Sequence, residues 1–150
     1  MQDEKTKGGD QMKSLLGRVG VILIVLAIFS YAEVWGEDWK FYGSTENFLA
    51  YYDAQNITRL SENVVRVWTK SDYTEKGVLN WVKNIGKKYE NMNHSKILSE
   101  INCAEKTINN LSFTVYDNKG DVIISSHSSS ELRFIIPDSV MDGLYQAVCK

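Results

Sequence analysis

The chain predicts an α+β domain: an antiparallel sheet of about six strands with two helices, the C-terminal one packed on the sheet and tied there by a disulfide. Three observations carry that expectation. Residues 37–150 contain several stretches in which β-branched and aromatic residues alternate with polar ones, and two segments that instead repeat apolar residues at helical spacing. Their order is strands, helix, strands, helix, which suits an antiparallel sheet with its helices on one face. The two cysteines, Cys103 and Cys149, lie at the end of a strand pattern and at the end of the last helix pattern.

The elements follow in order. Trp39–Tyr42 alternates and meets Gly43-Ser44, a short strand, and 47–53 (NFLAYYD) reads as the second. Asn56 and Ser61-Glu62-Asn63 mark turns. Val64–Tyr73 (VVRVWTKSDY) is the clearest strand, with Val65, Val67 and Thr69 on one face and Arg66, Trp68 and Lys70 on the other. Thr74 is a suitable N-cap, and Val78, Val82, Ile85 and Tyr89 recur at helical spacing, predicting a helix over 75–89. Lys96–Cys103 places Ile97, Ile101 and Cys103 on one face; 109–117 places Leu111, Phe113 and Val115 on one face. Asn118-Lys119-Gly120-Asp121 is a hairpin turn leading into a strand over 122–126, and SSHSSS (125–130) is a polar loop. Pro137-Asp138-Ser139 opens the last helix, with Asp138 or Ser139 able to cap it, and its stripe is Val140, Leu144 and Val148. Cys103 shares a face with Ile97 and Ile101, so this helix is expected on that face.

The N-terminal segment carries an expectation of export. Val19–Phe29 is an eleven-residue apolar run, shorter than the roughly 20 residues of a spanning helix but suited to a signal-peptide core. Lys13 and Arg18 precede it, and Ala32 and Gly36 offer small residues for cleavage. An uncleaved anchor is the alternative, and is the one expected route to membrane contact. Residues 1–11 are polar and acidic, unlike a signal, whereas Met12 begins a good one. Lys7–Asp10 can also be encoded by a purine-rich run resembling a ribosome-binding sequence. The chain is therefore expected to divide into an upstream extension (1–11), a secretory signal peptide (12–36) and one domain (37–150). In an exported chain an even cysteine count reads as a Cys103–Cys149 bridge, against a metal pair or two free thiols. A metal site needs about four ligands, and His94 and His127 are poorly spaced to complete one.

Charge narrows the function. Nineteen acids against 17 Lys and Arg give a net −2, without the basic excess of a nucleic-acid binder, so nucleic acid is not expected as the main partner. No catalytic constellation is evident and no cofactor is implied. The serines of SSHSSS beside His127 lack a G-x-S-x-G turn and sit in a loop, and His94 lies in a turn composition.

The pattern KILSEINC, then a TVYD strand, then PDSVMDGLYQAVCK resembles the bacterial surface-adhesin protein E family. The resemblance rests on Lys96, Ile97, Leu98, Asn102, Cys103, Tyr116 and Asp117, and on Pro137, Asp138, Leu144, Tyr145, Ala147, Val148 and Cys149. WKFYGS, VVRVWTK and the helix around Trp81 are similar to compact protein-E-like domains of environmental bacteria. The resemblance implies a six-stranded antiparallel sheet, a disulfide-held C-terminal helix and an envelope location. Named members bind host extracellular-matrix proteins, but the segment after Cys103, 104–109, is neither basic nor aromatic as adhesive segments of the family are. A lipid-anchoring cysteine is also absent from the cleavage region. The expectation is therefore a periplasmic, secreted or surface binding domain for a protein or an envelope polymer, with an accessory subunit of an envelope complex and an unrecognised enzyme as alternatives.

Two surfaces are candidates for that binding. Arg66, Trp68 and Lys70 place an indole between two cations on the strand face opposite Val65 and Val67, a composition typical of binding hot spots. Lys76, Lys83, Lys87 and Lys88 line the first helix and could meet an anionic surface, or simply form its solvated face.

Overall fold

The computed structural model describes residues 37–127 and 129–150. The expected upstream extension and signal peptide therefore lie outside the described residues, as does Ser128 of the polar loop. Eight strands form one antiparallel sheet: β1 (Trp39–Ser44), β2 (Phe48–Asp53), β3 (Thr58–Arg59), β4 (Val64–Tyr73), β5 (Met92–Asn102), β6 (Thr107–Asp117), β7 (Val122–Ser126) and β8 (Arg133–Phe134). The main order is β1-β2-β4-β5-β6-β7. The two-residue strands β3 and β8 pair with the far ends of β4 and β6, so the sheet is six columns wide, as expected.

Alternation decides which face is covered. Val65 and Val67 on β4 and Ile101 on β5 are fully buried, and Ile108 on β6 nearly so. Helix α2 (Val140–Val148) lays Leu144 and Val148 on them, and Cys149 at its end is bonded to Cys103. Ser139 caps the helix by accepting from the Asp142 N–H at 3.2 Å. The helix sits close to β1: a Cβ on Gly143 would lie 2.5 Å from the Tyr42 carbonyl oxygen, so hydrogen is the only side chain that fits without a shift. Tyr42 is packed under it, and burial pushes its hydroxyl up to about 12, against a smaller opposite effect of a hydrogen bond with Thr69.

Helix α1 (Glu75–Asn84) covers the other end of the same face. Thr74 caps it, accepting from the Gly77 N–H at 3.1 Å. Its Trp81 packs on Tyr73, Tyr89 and Phe113 with ring centroids 5.8, 5.0 and 6.5 Å away. The helix ends earlier than its apolar period suggests. Gly86 adopts φ +139, a conformation that side chains rarely adopt, and the chain then makes a separate 3-10 turn, Lys87–Tyr89. Tyr89 reaches the core from that turn, whereas Ile85 is 57% exposed.

Two further differences have physical causes. Strand β5 begins at Met92, so His94 is a strand residue stacked on Tyr116 at 4.7 Å rather than part of a turn. In β6, Leu111 is an extra residue between the pairs Leu98–Ser112 and Ser99–Asn110. This bulge inverts the alternation. Phe113 and Val115 face the helices as expected, but before the bulge the helix-side residues are Ile108 and Asn110 rather than Leu111. The hairpin turn is as expected, with Gly120 at φ +87.

Candidate functional site

Among the described residues both helices pack on one side of the sheet, and no described helix covers the other. Pairing sets its surface in rows. One row runs Phe41, Tyr51, Lys70, Lys96, Thr114 and Ser125, each opposite the next. Trp68, Leu98 and Ser112 form the next row, and Arg66, Glu100 and Asn109 the one beyond. A groove of about 600 Å³ lies over these rows, with Trp39, Trp68, Leu98 and Tyr116 among its lining. Glu37, Asn56, Thr58 and His127 also line it.

The structure thus places the expected triplet on the open face, and Trp68 is half-buried there. The flanking cations, however, are already engaged. Arg66 donates from Nε (3.1 Å) and Nη2 (2.5 Å) to Glu100 Oε1. Lys70 pairs with Asp72 at 3.1 Å.

Two residues that the sequence did not mark for binding, Lys96 and Trp39, complete the site. Lys96 stands directly opposite Lys70, an arrangement that costs energy on a bare sheet. Trp39 resolves it: its ring lies 5.7 Å from Lys70 Nζ and 5.4 Å from Lys96 Nζ, and Tyr51 lies 5.2 Å from Lys70 Nζ. Glu37 then binds Lys96 at 2.5 Å and accepts from Trp39 Nε1 at 3.0 Å. The Lys96 hydrogen bond is the main reason the Glu37 carboxyl is held below the usual carboxylate range, against desolvation. The only sequence signal for this cluster was parity: Lys96 and Leu98 alternate with Ile97 and therefore had to face away from the helix.

Asp53 is buried at the groove's wall, where Oδ1 accepts from the Gln55 N–H (3.1 Å) and Oδ2 from Asn56 Nδ2 (2.6 Å). These bonds fix the turn carrying Asn56 and Thr58. His127 meets Ser112 of β6, Nδ1 to Oγ 3.2 Å, not a neighbouring serine of its loop. Among the described residues no carboxylate bonds that imidazole. This pair therefore lacks the parts of a nucleophilic site. Burial lowers the His94 pKa, partly countered by Asp72. No cluster of three or more potential metal ligands occurs among the described residues.

The lysine face divides. Lys76 and Lys83 are on α1, and Lys76 pairs with Glu46 at 2.5 Å. Lys87 and Lys88 fall beyond Gly86, in the 3-10 turn, where Lys87 is 4.0 Å from Glu90 and Lys88 lies over the Tyr89 ring at 4.9 Å. The expected single helix over 75–89, with Lys76, Lys83 and Lys87 along one side and Lys88 adjacent, is thus broken at the glycine.

Fold and surface together define a class, a small disulfide-tied α+β domain that presents one side of its sheet. The chain belongs to the surface-adhesin protein E family, whose sequence model matches residues 39–150. It is accordingly an adhesin-like surface protein. Solved structures of Haemophilus influenzae protein E are similar to it. One, a selenomethionine form, shares 15% identity with a TM-score of 0.48 over 72% of this chain and 89% of its own. Another, from a non-typeable strain, shares 15% identity with a TM-score of 0.46 over 73% and 74%. No curated protein matches the chain.

Proposed function

We propose that this is an exported, non-enzymatic binding domain that engages its partner through the open sheet face, with Trp39 and Trp68 as anchors. One observation carries the reading: both helices and the disulfide lie on the opposite side, while this side keeps a groove walled by indoles. Aromatic anchors in a partly desolvated groove supply much of the binding energy of such surfaces. Arg66 and Lys70, held by Glu100 and Asp72, keep the walls in place more than they reach outward. The apolar run at 19–29 and the bridge, which suits an oxidising compartment, support the export part of this reading.

The test is comparative. Wild-type and Trp68→Ala proteins, each with an intact bridge and native circular dichroism, are immobilised and challenged with envelope and extracellular material. The reading expects a retained component to be lost with the variant. Identical retention of every component by both would remove it. Intact mass from native cells checks export: a species starting near Glu33 or Glu37 and two hydrogens lighter than its reduced form is expected.

A second reading, an accessory subunit of an envelope complex, draws on the β8 edge. Leu132, Phe134 and Ile136 are 64, 80 and 70% exposed there, and exposed apolar edges invite strand addition. Association that Phe134→Ser abolishes and Trp68→Ala leaves untouched would favour it.

A further inference from the structure

The groove's chemistry narrows the ligand further, provided that the open face is the binding surface. Its ionised walls cancel: Glu37 and Asp53 stand against Arg66 and Lys96. Nor are these charges held in reserve. Lys96 is bound by Glu37, Arg66 by Glu100, and Asp53 by its own turn. A polyanion would have to displace an acid to reach either cation, and a cationic peptide would meet the reverse cost.

What the groove does present is of two kinds. There are aromatic faces, Trp39 and Trp68, with Tyr116, already stacked on His94, at one end. Between and beside them are the hydroxyls of Thr58, Ser112 and Thr114. Ser112 already bonds His127 and Thr114 bonds Ser125, but a hydroxyl both donates and accepts, so each keeps a second hydrogen-bonding role. The backbone of the sheet spends its donors and acceptors on the ladder, so polar recognition here depends on side chains. Trp39 is also pre-oriented, its Nε1 bonded to Glu37 and its ring faced by both lysines, so little ordering is lost on binding.

A partner that matches both kinds offers C–H faces for stacking and hydroxyls along its edges, and carries no net charge. We propose that the groove binds an uncharged polysaccharide, one sugar face stacking on Trp39 or Trp68 and its hydroxyls exchanging hydrogen bonds with the groove's hydroxyl side chains. A volume of about 600 Å³ lies within the range of small-ligand sites, and suits a short stretch of chain rather than a folded protein surface.

The test uses the full disulfide-bonded protein and an array of neutral hexose and N-acetylhexosamine oligomers, with sulfated and uronate polymers beside them. Tryptophan fluorescence reports binding in solution. The proposal expects a neutral oligomer to bind, to shift that fluorescence, and to hold its affinity when salt is raised. Trp39→Ala and Trp68→Ala should each weaken it about tenfold or more, with Trp39→Tyr retaining most of it. Binding confined to the anionic polymers and lost in salt would overturn the proposal. So would a protein partner that needs Trp68 while no glycan binds, although the open face would then stand as the binding surface. Loss of both, with no ligand of any kind sensitive to Trp68, would overturn the glycan proposal and the assignment of the face together.

Discussion

Replacing both Cys103 and Cys149 with Ala removes a bridge that closes a 46-residue loop. In the chain-entropy account that loop contributes about 4 kcal/mol, by restricting the unfolded chain. The structure shows what remains in the native state. Leu144 is 0% and Val148 2% exposed, so the apolar stripe of α2 stays against Val65, Val67 and Ile101. The Tyr145 hydroxyl still donates to the Cys103 carbonyl at 3.1 Å, and Lys106 Nζ still lies 5.4 Å from the Tyr145 ring. The variant should therefore fold with α2 docked but lose about 3–4 kcal/mol, a large part of the ~5–15 kcal/mol of a small domain. Thermal unfolding should fall by roughly 15 °C, and the urea slope should rise because the freed chain exposes more surface. Urea unfolding of the variant, and of wild type with and without reductant, measures this directly. A loss under ~1 kcal/mol with an unchanged slope would refute the reasoning, because it would mean that the unfolded chain is not loosened by opening the loop.

Gly143→Ala puts a methyl group 2.5 Å from the Tyr42 carbonyl oxygen and should destabilise by about 1–3 kcal/mol, seen as a lower urea midpoint. Ser139→Ala removes the cap of α2 and should cost about 1 kcal/mol, with Ser139→Asp recovering most of it. Tyr42 has its pKa raised to about 12, so folding holds its proton more tightly than the unfolded chain does. Its contribution is therefore complete below pH ~10 and lost as pH rises toward 12. An absorbance titration should show a late tyrosine that Tyr42→Phe removes. Glu37 titrates in the opposite sense. Its lowered pKa means that the Lys96 tie is intact above the ordinary glutamate range and loosens as pH falls through the folded value. Fluorescence of Trp39 should change in that acid range, and Glu37→Gln should abolish the change.

Much of the fold was legible because short-range rules decide it. Alternation in Val64–Tyr73 placed Val65 and Val67 inside and Trp68 outside, and those faces are as observed. Thr74 and Ser139 fit their capping positions, and the pairing of a cysteine-ended strand with a cysteine-ended helix agreed with the apolar stripe. The misses arise where one residue changes parity or direction. Leu111 is apolar and in phase with Phe113, and only the ladder with β5 shows that it is a bulge. Gly86 sits inside a periodic apolar pattern that Tyr89 continues, yet its backbone turns the chain away from the helix. The two-residue strands are held by neighbours and have no period of their own.

The site was legible by half. Arg66, Trp68 and Lys70 belong to one strand, so their common face follows from a period of two. Trp39 and Lys96 are 57 positions apart in the chain and meet because β1, β2, β4 and β5 stack in a particular register. The same long-range pairing ties Arg66 to Glu100 and Lys96 to Glu37, turning cations that looked free into parts of a neutral wall.

The central claim is that the side of the sheet opposite the two described helices is the working side. Oxidative footprinting of the protein, free and with its partner or a bound oligosaccharide, tests this most directly because it reads individual side chains. Protection of Trp39, Trp68 and Tyr116, with Leu79 on α1 and Phe134 on the β8 edge unchanged, is the expected result. Protection of Leu79 or Phe134 with Trp68 and Trp39 oxidised as fast as before would contradict it.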